Sequence, residues 1–211
     1  MSLNLTRFVR PDRGALFVIT GASGTGKTTL VKEALATIPD LAFSVSATTR
    51  ASRVGEVNGR DYHFVTQEQF SEMVADEAFL EWAPVYGNRY GTPRAPVEAA
   101  LARGESILLE IDAQGAAQVR ETMPEAVFIF ILPPSIQTIE ERLRGRSTDS
   151  EEIIQRRLTD ARLQLSQCGE FEYLLVNDDL QSGFDQLQAI LIAELLRAKR
   201  RASLITQFAG A

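Results

Sequence analysis

A chain of 211 residues with 45% hydrophobic content suits one globular domain, or one core carrying insertions, and can bury a sizeable core. Its formal net charge of −6 argues against bulk electrostatic binding of nucleic acid or anionic lipid, so a polyanionic ligand must be held by a local basic cluster. A single cysteine, Cys168, excludes an internal disulfide and a cysteine-based metal site, and reads as a small helix residue in a reducing cytosol. The one histidine, His63, reads as structural, because a histidine metal site needs partners that are absent.

Met1 to Arg10 lacks the long apolar core of a signal peptide, and no apolar run approaches membrane-spanning length, so a soluble, cytoplasmic protein is the expectation. Ala15-Leu16-Phe17-Val18-Ile19-Thr20 is a short, largely apolar run suited to a buried strand. It feeds Gly21-Ala22-Ser23-Gly24-Thr25-Gly26-Lys27-Thr28, which fits the phosphate-binding pattern G-x-x-x-x-G-K-[ST]. Behind the loop, Leu30, Val31, Ala34, Leu35 and Ile38 recur at helical spacing until Pro39 stops the pattern. The glycines let the backbone curl so that successive N–H groups face an anion, and the helix start adds the positive end of its dipole. Lys27 can then reach the outer phosphates of a nucleoside triphosphate, and the Thr28 hydroxyl can ligate its magnesium ion.

From about Phe43 to Gly91 the rhythm changes. Asp61–Val65, Phe79–Ala83 and Asn88–Gly91 look like short strands, with turn signals at Asn58-Gly59 and Gly87-Asn88 and one helix near Gln67–Ala75. A small, mostly antiparallel insertion is expected. Beyond it, apolar runs at Ser106–Ile111, Ala126–Leu132 and Tyr173–Val176 alternate with helical patterns at Pro93–Ala102, Ala113–Glu121, Ser135–Leu143, Ser150–Gln167 and Ser182 to about Arg201. That alternation predicts an α/β protein: a parallel sheet flanked by helices, with ligands beyond the carboxyl ends of the strands. Polar groups stand at those ends: the loop after Thr20, Asp112 after Ile111, and Asn177-Asp178-Asp179 after Val176. Arg142 to Asp149 (RLRGRSTD) is an arginine-rich connection that reads as a mobile lid. Lys199, Arg200 and Arg201 would close the last helix, where cations suit the dipole.

Phe43-Ser44-Val45-Ser46-Ala47-Thr48-Thr49-Arg50, with Arg53, Gly55-Glu56 and Asn58-Gly59-Arg60-Asp61-Tyr62, resembles the guanylate kinase family. So do Glu81-Trp82, Gly87-Asn88-Arg89-Tyr90-Gly91-Thr92, Glu110-Ile111-Asp112-Ala113-Gln114-Gly115 and Val176-Asn177-Asp178-Asp179, and the likeness runs over residues 14–197. It implies a P-loop nucleoside monophosphate kinase fold with a core of 14–42 and 93–197, a GMP-binding insertion of about 43–92, a helical lid of about 142–157 and a basic tail of 198–211. The implied reaction moves the terminal phosphoryl of ATP to GMP, and to dGMP, with Mg²⁺. ATP and GMP would be the partners, with no nucleic acid or membrane, and the assembly a monomer or small homo-oligomer.

Roles follow residue by residue from the same resemblance. Gly21 to Thr28 and Asn177 would bind ATP. Arg50, Arg53, Tyr62 and Tyr90 would hold the GMP phosphate, with Glu56 beside them; arginines suit a dianion because they bond it bidentately. Ser46, Glu81, Thr92 and Asp112 would face guanine. A carboxylate such as Glu81 can accept from both N1–H and the 2-amino group, whereas adenine would set an acceptor against it. Lys27, Arg50, Arg53, Arg146 and Arg157 would be the catalytic cations, the last two closing over the triphosphate.

Against the family's pattern, Ala22 replaces a frequent proline, Thr28 a serine, Glu110 an aspartate and Ser147 a glycine. Glu110 is one methylene longer than aspartate, which leaves its part in organising magnesium open. A binding module without catalysis would lack the loop or lid cations, and a kinase for a sugar phosphate would not need Ser46, Glu81 and Thr92.

Overall fold

The computed structural model of the chain describes residues 10–144 and 150–210. Its core is a five-stranded, all-parallel sheet built from β1 (Leu16–Gly21), β2 (Leu41–Phe43), β7 (Ser106–Glu110), β8 (Val127–Leu132) and β9 (Tyr173–Val176). The spatial order is β2-β7-β1-β8-β9, so the first strand lies at the centre and is buried along its whole length. An apolar run without alternation requires this, because both faces of the strand are covered. Phe17 and Ile19 point to one layer, with α1 (Lys27–Thr37) and α7 (Leu180–Leu195), where Leu30, Val31, Leu187 and Leu191 meet Leu108 and Ile129. Leu16 and Val18 point to the other, with α3 (Arg94–Ala102) and α4 (Ala113–Thr122), where Val97, Leu101 and Val119 meet Phe128 and Phe130.

The expected insertion forms a second sheet. Its strands are β3 (Ala47–Thr48), β4 (His63–Phe64), β5 (Phe79–Val85) and β6 (Asn88–Pro93), in the order β4-β3-β6-β5. The pairs β3–β6 and β5–β6 are antiparallel and β3–β4 is parallel, with His63 opposite Ala47. Helix α2 (Gln67–Ala75) covers the sheet and starts with a reciprocal cap: Thr66 Oγ1 accepts from Gln69 N–H (3.2 Å) and Gln69 Oε1 accepts from Thr66 N–H (2.9 Å). Phe70 of this helix stacks on Phe79 of β5 with ring centroids 4.5 Å apart, which gives the insertion a small core of its own.

Helices α5 (Ile136–Arg144) and α6 (Glu151–Leu165) pack together through Ile139, Ile154, Leu158 and Ala161. Cys168 lies in a single 3₁₀ turn, Cys168–Glu170, after α6 rather than in a helix. The long last helix expected to reach about Arg201 is broken. α7 ends at Leu195, a 3₁₀ turn spans Ala198–Arg200, and α8 (Ala202–Ala209) follows. The cations therefore do not close a helix. The break lets Arg200, 4% exposed, turn under the sheet and donate from Nη1 to the Gly14 carbonyl (2.7 Å), while Asp12 N–H bonds the Arg200 carbonyl (2.9 Å). No described helix is long and apolar enough to cross a membrane.

Ile129 is fully buried in the strand beside β1. Ile129→Ala is expected to cost about 2–5 kcal/mol in urea unfolding; a loss below about 1 kcal/mol would contradict its place in a tightly filled layer.

Candidate active site

Strand β1 delivers the chain to the phosphate loop at the carboxyl edge of the sheet, and α1 begins at Lys27. Gly26 has φ of 86°, and a Cβ there would fall 2.4 Å from Asn177 Nδ2, so this position needs glycine on both counts. Asn177, at the end of β9 and 5% exposed, donates from Nδ2 to the Thr25 carbonyl (2.7 Å). Thr25 itself is buried and its Oγ1 donates to the Ala22 carbonyl (2.9 Å). Ala22 is buried among Ile139, Ile154, Leu158 and Ala161, so a small apolar residue there seats the loop against α5 and α6.

The Lys27 amine folds back across the loop, donating to the carbonyls of Gly21 and Ala22. Burial holds its pKa below the ordinary lysine value, with the charge of Glu110 acting in the opposite direction. Thr28 Oγ1 donates to Glu110 Oε1 at 2.7 Å. The Glu110 carboxylate thus links the end of β7 to the loop hydroxyl. A cleft of about 320 Å³ opens here, lined by Gly21, Ser23, Lys27, Glu110, Asp112 and Gln164.

On the insertion, Arg50, Glu56, Tyr62 and Tyr90 come together. Arg50 Nη2 reaches both carboxylate oxygens of Glu56 (2.8 and 3.1 Å), and its guanidinium lies 5.4 Å from the Tyr62 ring centroid. Tyr62 meets Tyr90 edge-on at 6.0 Å. Arg53 joins through its backbone, donating N–H to Glu56 Oε2 (2.7 Å), while its side chain is exposed. Bonds from Arg50 and from the Arg53 backbone hold the Glu56 carboxyl below its ordinary pKa. Ser46 stands just before β3, half-buried, its carbonyl accepting from His63 N–H (2.9 Å).

Glu81 of β5 lies opposite Thr92 of β6, and Thr92 Oγ1 donates to Glu81 Oε1 at 2.6 Å. Glu81 is 8% exposed, and burial raises its pKa above the ordinary value; the Thr92 bond opposes this and the negative charge of Asp112 adds to it. Asp112 caps α4 by accepting from Gly115 N–H (2.8 Å). A Cβ at Gly115 would sit 3.2 Å from Glu81 Oε2, so glycine there leaves the carboxylate its space.

Of the cations expected in a lid, Arg146 lies outside the described residues, as does Ser147. Arg157 is half-buried on α6, the helix that packs on Ala22. Arg144 is engaged within the segment, with Glu140 (3.0 Å) and Glu151 (2.7 Å), and so ties the end of α5 to the start of α6. Sequence reasoning missed Gln164, although it stands seven residues after Arg157 and so shares its helix face. It also missed Gln118 and Thr122 of α4, which bond the backbone of β5.

A phosphate loop at the end of the central parallel strand, and a small, mostly antiparallel sheet tied to the core through α4, define a P-loop nucleoside monophosphate kinase fold. Residues 13–194 match the family model described as guanylate kinase. The chain is 52% identical over 188 residues to a guanylate kinase of Carboxydothermus hydrogenoformans, covering 89% of this chain and 92% of that one. It is 52% identical over 193 residues to a guanylate kinase of Neisseria meningitidis serogroup A, covering 92% and 94%. The crystal structure of a guanylate kinase from Anaplasma phagocytophilum superposes with a TM-score of 0.69 at 34% identity, covering 95% of this chain and 97% of that one. The chain belongs to the guanylate kinase family.

Proposed function

We propose that this chain transfers the terminal phosphoryl group of ATP to GMP, and to dGMP, giving ADP and the nucleoside diphosphate. The observation that carries the reading is that Asp112 lines one cleft with Gly21, Ser23 and Lys27 of the phosphate loop while its charge acts on Glu81 of the buried Glu81–Thr92 pair. The backbone from Gly21 to Thr28 cradles the triphosphate, and Asn177 serves it by holding the loop from behind. Thr28 Oγ1 and Glu110, hard oxygen donors 2.7 Å apart, fit Mg²⁺, which is commonly bound through one or two protein oxygens plus substrate phosphates. When bound, that ion neutralises charge on the phosphate oxygens.

Arg50 and Arg53, with the Tyr62 and Tyr90 phenols, hold the GMP phosphate; Glu56 orients the Arg50 fork. Guanine lies against Glu81, Thr92, Ser46 and Asp112, with the Glu81 carboxylate accepting from N1–H and the 2-amino group. The acceptor phosphate is already a nucleophile, so catalysis is positioning and charge neutralisation by Lys27, Arg50, Arg53, Arg146 and Arg157. The partners are small molecules, which the net charge of −6 supports over nucleic acid, and the working unit is a monomer or small homo-oligomer. A reducing compartment such as the cytoplasm suits its unpaired Cys168.

Lys27→Met keeps the length of the side chain and removes its charge. It is expected to lower kcat by about 10²–10³ with thermal unfolding unchanged; near-normal turnover would remove Lys27 from the mechanism. Glu81 supplies a pH signature. Its pKa is raised above the ordinary 4.5, so the carboxylate form needed to accept two donors is lost as pH falls through that raised value. KM for GMP should therefore rise on acidification before ordinary surface carboxylates protonate, and Glu81→Gln should flatten the rise. A KM independent of pH down to 4.5 would remove the carboxylate from GMP recognition.

A further inference from the structure

β5 is an edge strand: in the described sheet its one neighbour is β6, which leaves backbone groups on its other side without a strand to pair them. Side chains of the core helix α4 take that place. Gln118 Oε1 accepts from Trp82 N–H and Gln118 Nε2 donates to the Trp82 carbonyl, both at 3.0 Å, so one amide pairs a residue of β5 as an adjacent strand would. Four residues on, Thr122 Oγ1 donates to the Leu80 carbonyl at 2.9 Å. Leu80 and Trp82 flank Glu81, so the backbone on both sides of this carboxylate is fixed to α4.

Asp112, Gly115, Gln118 and Thr122 recur at intervals of three, three and four residues and lie on one face of the helix. One face therefore contributes Asp112, the space for the Glu81 carboxylate at Gly115, and the bonds that set the height of β5. We propose that Gln118, aided by Thr122, is a positioning residue for guanine selection: it holds Glu81 in register with Asp112 across the joint between the insertion and the core. This rests on Glu81 being the guanine acceptor. Without the amide, β5 can shift along or away from α4. The carboxylate then meets the two guanine donors less well, while the phosphate loop keeps its own supports.

The test compares GMP with inosine monophosphate, whose base lacks the 2-amino group and offers the carboxylate one donor instead of two. Steady-state kinetics are measured for the wild type, Gln118→Leu, Thr122→Val and Glu81→Gln. Gln118→Leu is expected to raise KM for GMP roughly three- to tenfold and to lower the GMP-to-inosine-monophosphate ratio of kcat/KM by a similar factor, leaving KM for ATP unchanged. Thr122→Val should do the same to a smaller extent, and it decides by the same ratio if Gln118→Leu does not fold. A loss of stability or of turnover with the ratio unchanged means a structural role only and overturns the proposal. The Glu81→Gln control locates the failure. If it lowers the ratio while the α4 variants do not, the positioning role alone falls; if it too leaves the ratio unchanged, the guanine reading of Glu81 falls and the proposal with it.

Discussion

The loop between β1 and α1 carries the glycine pattern of a phosphate-binding loop, and such a loop binds only as well as it is held. Three sets of contacts hold it here. Asn177 reaches from the end of β9 to the Thr25 carbonyl, Glu110 reaches from the end of β7 to the Thr28 hydroxyl, and α5 with α6 closes over Ala22. Each contact comes from a different part of the chain, and the first two exist because the parallel sheet brings its carboxyl ends to one edge. The core on either side of β1 is thus the support of the binding loop as well as the main source of stability.

Charge is divided between the core and the insertion. In the proposed reading Lys27 of the core and Arg50 of the insertion serve the phosphates, and Glu81 of the insertion and Asp112 of the core serve the base. The two carboxylates have different surroundings. Glu81 is buried and tethered by Thr92, whereas Asp112 is exposed and fixed by capping α4. Helix α4 links the two halves, since its start lies beside the phosphate loop and its side chains bond the edge of the insertion sheet.

Much of this was legible from residues alone. The loop could be read because a glycine pattern lay in register between an apolar strand and a periodic helix, and the family motifs named the residues that gather around Arg50 and Glu81. Strands β2 and β3 could not be read, since three and two residues are too short for a pattern to show. The break after Leu195 was hidden for another reason: it goes with a tertiary bond between Arg200 and the Gly14 carbonyl, which no local signal announces. Gln118 and Thr122 look like ordinary helix surface until the edge of β5 is known to face them. From sequence the part of Glu110, one methylene longer than aspartate, stays open; in the structure its carboxylate accepts from the Thr28 hydroxyl.

The most direct test of the account is a coupled assay of ADP formation with ATP and magnesium, offering GMP, AMP, UMP and CMP separately to the wild-type protein. Turnover with GMP is expected to far exceed that with any of the other three, because among the four bases guanine alone presents two adjacent donors to a buried carboxylate. Comparable turnover with AMP, or none with GMP, would contradict it.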